Sequence, residues 1–109
     1  MIRLKAGVSL RDLQPQVVLG LILVEQAFAA AGAECIVTSC NDGQHKTDSF
    51  HYRGLAADLR IKHIHPDRKG NVVAHITDLL GPEWDVLWEN PGLANEHVHI
   101  EFDERHNNG

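Results

Sequence analysis

The chain has 109 residues, enough for one domain with a single modest core and no second module. With 43% hydrophobic and 23% charged residues it has the make-up of a soluble globular protein. A net charge of −5 with only 10 Lys plus Arg argues against a phosphate-backbone binder, so no nucleic-acid partner is expected.

The opening stretch Met1-Ile2-Arg3-Leu4-Lys5 lacks the n-region, h-region and cleavage site of a secretory signal. No signal peptide is therefore expected, and the chain is expected to be cytoplasmic as synthesised. The longest apolar run, residues 17–24, falls well short of the roughly 20 residues of a membrane helix, so no membrane insertion is expected. That run reads as a buried helix face, with Pro15 opening the helix and Gly32 stopping it.

Residues 34–39 are short, β-branched and bounded by turn formers, which suits a strand buried on both faces. Polar residues 41–48 form a loop. Residues 55–61 alternate as a second strand with Asp58 near its middle, and a basic loop spans residues 62–70. Val72, Val73, Ile76, Leu79 and Leu80 mark a second amphipathic helix ended by Gly81-Pro82. Residues 84–88 read as a third strand, its Trp84 and Trp88 assigned to the core. Residues 97–102 form a fourth, with Val98, Ile100 and Phe102 on one face and His97, His99 and Glu101 on the other. The order helix, strand, strand, helix, strand, strand predicts an α+β domain, a small antiparallel sheet packed against two helices. Its core spans about residues 13–102, with a polar tail at 103–109.

Cys35 and Cys40 form neither a zinc knuckle nor a disulfide framework, and reduced thiols are expected. Nothing near Cys40 argues for an activated nucleophile. Eight histidines guarantee some short-range pairs by chance. His63-Ile64-His65 imitates a ligand pair but has no carboxylate at a fitting distance and reads as surface loop. His75 reads as a packing or surface residue and His106 as tail. Ser49, His51 and Asp58 lack the strand-to-helix elbow of a serine hydrolase triad.

One arrangement carries chemistry. Catalytic zinc usually takes three protein ligands from His and carboxylate and keeps a position for water. His51, Asp58 and His99 meet that requirement, provided that Gly54 lets the chain turn between the first two. A zinc hydrolase also needs a proton acceptor. Glu96 is placed for that role, and His97 competes for it as base, outer partner or ligand.

The run Ser49-Phe50-His51-Tyr52-Arg53-Gly54-Leu55-Ala56-Ala57-Asp58 resembles the S-x-H-x-x-G-x-A-x-D signature of the zinc D-Ala-D-Ala peptidases, and Glu96-His97-Val98-His99 resembles their E-x-x-H. The likeness extends over residues 13–102. It implies the fold shared with hedgehog signalling domains, one catalytic Zn2+ held by His51, Asp58 and His99, and Glu96 as base. Ser49 becomes a substrate or outer contact. Family members often carry Ser-Gly-Tyr-Arg, whose arginine stabilises the oxyanion; this chain has Ser39-Cys40-Asn41-Asp42 there. His45, Lys46 or Arg53 is left to supply the positive charge.

The expectation is a zinc metallopeptidase acting on peptidoglycan stem peptides: a phage or prophage endolysin cutting L-Ala–D-Glu, monomeric and reaching the cell wall after release. A D-Ala-D-Ala carboxypeptidase or dipeptidase is the nearest alternative. From a different class comes a zinc-binding structural or virion protein with impaired turnover.

Overall fold

In the computed structural model, residues 1–11, 13–40 and 54–103 are described. Seven elements follow one another: β1 (Ile2–Leu4), α1 (Pro15–Ala30), β2 (Cys35–Ser39), β3 (Ala56–Arg60), α2 (Pro66–Leu80), β4 (Trp84–Glu89) and β5 (His97–Phe102). The strands form one sheet in the order β1-β2-β3-β5-β4. The α+β class holds, but the sheet is mixed rather than antiparallel, because β1 pairs parallel with β2 while the other three pairings are antiparallel. β1 lies ahead of residue 13, so the sheet begins earlier than the sequence suggests. Its end is tied down by ion pairs from the amino terminus to Glu25 and from Arg3 to Glu34.

Helix α1 begins with Pro15 in its first turn, where a missing N–H costs nothing. Its exit is a Schellman turn. Gly32 has φ +72°, its N–H reaches the Ala29 carbonyl, and the Ala33 N–H reaches Phe28. Helix α2 starts at Pro66, inside the stretch read as loop. His65 caps it, its Nδ1 accepting the Asp67 N–H at 3.2 Å, and the Asp67 carboxylate sits at the positive end of the helix dipole. Basic residues and Gly70 masked that turn in the sequence. Among the described residues no helix is long and apolar enough to cross a membrane.

Both helices cover the same face of the sheet. Val17, Leu21, Val24 and Phe28 of α1 and Val72 and Ile76 of α2 share one buried cluster with Cys35, Val37, Ala57, Leu59, Val98 and Ile100. Removing a side chain such as Leu59 from this cluster costs about 2–5 kcal/mol. β2 is fully buried only on this side, since Ile36, Thr38 and Ser39 are half-exposed. The apolar run of α1 is likewise divided: Val18, Leu19 and Ile22 remain exposed. Trp84 packs at the margin of the core, its ring lying where a Cβ on Gly20 would come within 2.5 Å. Both cysteines are buried, and burial pushes the Cys35 thiol up to about 12.

The other face of the sheet is open, and strand alternation gives it Asp58 and Arg60 from β3, His97, His99 and Glu101 from β5, and Asp85, Leu87 and Glu89 from β4.

Candidate metal centre

Asp58 and His99 are direct partners in the β3–β5 ladder, which sets their side chains next to each other on the open face. Beside them β2 is irregular. Between Val37 and Ser39 its register slips, an extra residue opposite the Leu59–Asp58 step, and Thr38 Oγ1 donates to the Asp58 carbonyl at 3.3 Å. A bulge of this kind turns the local strand and re-aims its side chains.

The resulting geometry is a chain of three groups. His99 Nδ1 lies 2.8 Å from Asp58 Oδ1, and His99 Nε2 lies 2.8 Å from Glu101 Oε1. Burial disfavours a charge on His99, yet hydrogen bonds and Coulombic attraction from Asp58 and Glu101 outweigh it and raise the pKa above its usual value. Carboxylates only accept, so in this arrangement the ring holds a proton on each nitrogen. A cation placed between Asp58 and His99 would displace the proton from Nδ1 and leave Nε2 donating to Glu101. Metal-binding histidines commonly have this carboxylate–histidine pairing.

His97 faces the same side. Its Nδ1 lies 2.8 Å from the Asn95 carbonyl, which can only accept, so Nδ1 carries a proton. Nε2 is 3.2 Å from Glu89 Oε1 and 4.0 Å from Asp58 Oδ1. A groove of about 710 Å³ opens here, bordered by Asp58, Arg60 and His97 on the strands and by Lys5, Lys62 and Asn95 around them.

Glu96 also touches this groove, but its carboxylate is engaged elsewhere. It is buried and accepts from Lys69 Nζ of α2 at 2.7 Å and from Trp88 Nε1 at 2.9 Å. The Lys69 hydrogen bond, against the opposing effect of burial, holds its carboxyl below the ordinary carboxylate range. A carboxylate so stabilised as an anion is a weak proton acceptor. E-x-x-H spacing thus brings Glu96 to Lys69 of α2 and His99 to Asp58 on the open face.

The donor types fit a zinc site in part. Asp58 and His99 converge, and Glu101 steadies the far ring nitrogen. His51, together with His45, Ser49 and Arg53, lies outside the described residues. Gly54, expected to allow a turn ahead of Asp58, has φ +72°. Farther along the face, Asp85, Glu101 and Asp103 offer oxygens within 4.8 Å of one another and could hold a metal ion. An all-carboxylate set suits a hard ion such as Ca²⁺ or Mg²⁺ better than zinc.

The sequence pattern placed Glu101 on the chemical face without giving it a role; its position two residues after His99 is the signal that could have done so. Arg60 was equally findable, two residues after Asp58 on the same strand. The Glu96–Lys69–Trp88 cluster left no local signal, because its members come from three separate segments. The histidines read as surface have local roles: His63 stacks on Phe28 with ring centres 5.7 Å apart and bonds the Glu34 carbonyl, and His65 caps α2. No family model matches this chain, and neither does any curated protein or solved structure.

Proposed function

We propose that the chain is a zinc metallopeptidase of peptidoglycan stem peptides, with the L-Ala–D-Glu bond as the expected point of cleavage and an endolysin role as its setting. The observation that carries this reading is the close approach of Asp58 Oδ1 and His99 Nδ1, with Glu101 on the other ring nitrogen. On this reading the sheet and its two helices are a small version of the hedgehog and D-Ala-D-Ala-peptidase fold, and His51 completes the ligand set. Zinc bound there supplies Lewis acidity, polarising a scissile carbonyl and lowering the pKa of water.

The chain's own residues do the rest. The groove receives an extended peptide along the open face. His97 Nε2, held toward Asp58 by the Nδ1 bond to Asn95, accepts the proton from the attacking water and returns it to the leaving amine. Glu96 anchors the end of β5 through Lys69 and Trp88 and leaves proton transfer to His97.

The test is digestion of isolated cell walls with the purified protein, with and without a zinc chelator, followed by mass spectrometry of the muropeptides. New amino termini at D-Glu, lost on chelation, are expected. Free D-Ala or D-Ala-D-Ala instead identifies a carboxypeptidase or dipeptidase. Zinc binding without any cleavage selects the structural or virion reading, which the ion-paired state of Glu96 favours.

A further inference from the structure

Positive charge on the groove wall is out of keeping with an acidic chain. Three of the groove's residues, Lys5, Arg60 and Lys62, are permanent cations, whereas the net charge of the protein is −5. The two carboxylates bordering the same groove are already matched, Asp58 by His99 and Glu96 by Lys69. The groove therefore presents uncompensated positive potential toward whatever it binds.

Arg60 is central to that potential. It follows Asp58 by two positions on β3, so both side chains project from the open face, and it stands opposite His97 in the ladder. It is half-buried, and its guanidinium forms no hydrogen bond or ion pair among the described residues. Lys62 is steadied at the rim by donating to the Ala94 carbonyl at 2.8 Å. A half-buried guanidinium with free donors is suited to grip a carboxylate through two parallel hydrogen bonds.

We propose that Arg60, supported by Lys5 and Lys62, is a substrate-carboxylate subsite that makes the groove specific for acidic peptides. The proposal rests on the peptidase reading for its substrate. Positions two apart on a strand are separated by roughly 7 Å, about two residues of an extended peptide. The recognised carboxylate then lies within one or two residues of the bond set against Asp58 and His99. Arg60 thereby supplies a positive group that residues 39–42 lack.

The experiment is calorimetric binding of four synthetic stem pentapeptides to the zinc-loaded protein. The D-Glu α-carboxylate and the C-terminal carboxylate are each free or amidated, which separates the two sources of negative charge. Wild type is expected to bind one free acid about tenfold to a hundredfold more tightly than its amide. Arg60→Gln should erase that preference while leaving affinity for the amide, zinc content and melting temperature unchanged. Arg60→Lys should restore part of it and serves as the informative variant if Arg60→Gln folds poorly. Equal affinity of wild type for acid and amide, no binding of any peptide, or a preference that survives both substitutions overturns the proposal. The two readings fail separately: acid preference without cleavage removes the peptidase, and cleavage without acid preference removes the subsite.

Discussion

Glu96 and Asp58 are carboxylates bordering the same groove, and their partners hold them differently. Glu96 is 3% exposed and matched by one cation, Lys69 of α2, with Trp88 on its second oxygen. On the open face, Asp58 is 16% exposed and shares histidine protons with Glu101 along a chain that borders a groove. The first arrangement is closed, since both oxygens of Glu96 already accept from a neighbouring side chain. The second holds an exchangeable proton where a cation could sit. Negative charge is therefore locked in an ion pair at Glu96 and shared with a histidine proton at Asp58.

The sharpest way to break the comparison is on the closed side. Lys69→Met strands the Glu96 charge in a buried site and should cost about 3–5 kcal/mol in urea unfolding. Adding Glu96→Leu should recover most of that loss, because the unpaired charge goes with it. If Lys69→Met is neutral, Glu96 is not held by this pair.

On the open face the effects should appear in function rather than in stability. His97→Ala should reduce wall hydrolysis about 10²–10⁴-fold while changing unfolding free energy by no more than about 0.5 kcal/mol. Glu96→Gln, by contrast, should retain zinc and measurable hydrolysis. Equal activity of His97→Ala and wild type would return the proton-transfer role to another group.

Glu101→Gln sharpens the other half of the contrast. Weakening the acceptor on His99 Nε2 should lower zinc affinity about 10–100-fold, as measured by competition with a chromophoric chelator. An unchanged affinity would mean that Glu101 only packs beside the ring.

The smallest expected effect is on acid stability. The folded-state pKa of Glu96 is depressed by Lys69, so the unfolded chain takes up its proton first. The associated stability is complete above the ordinary carboxylate range and disappears as pH falls through the depressed value. Urea midpoints of wild type and Glu96→Gln should therefore differ at neutral pH and converge in acid. A constant gap would detach Glu96 from the acid transition.

Six of the seven elements were legible from periodicity and turn residues, because each is local. β1 was not: Ile2-Arg3-Leu4 is three residues long, and its pairing with Cys35–Val37 spans α1. The first turn of α2 was hidden because His65 is an unusual cap and Gly70 lowers helix propensity. In the candidate site, alternation in β3 and β5 was enough to bring Asp58 toward His99. It was not enough to place Glu96, which precedes the strand and follows the turn toward Lys69. A motif spacing records which residue types recur, whereas the partners available on each face decide what a side chain does.

On the proposed reading, the open face of β3 and β5 holds a metal ion through Asp58 and His99. Zinc titration of the protein followed by ¹⁵N NMR of its histidine rings tests it most directly. One zinc per chain and a large shift of His99 Nδ1 are expected, both lost with Asp58→Asn and both retained with Glu96→Gln. Absence of stoichiometric zinc, or zinc binding that Asp58→Asn leaves intact, would contradict it.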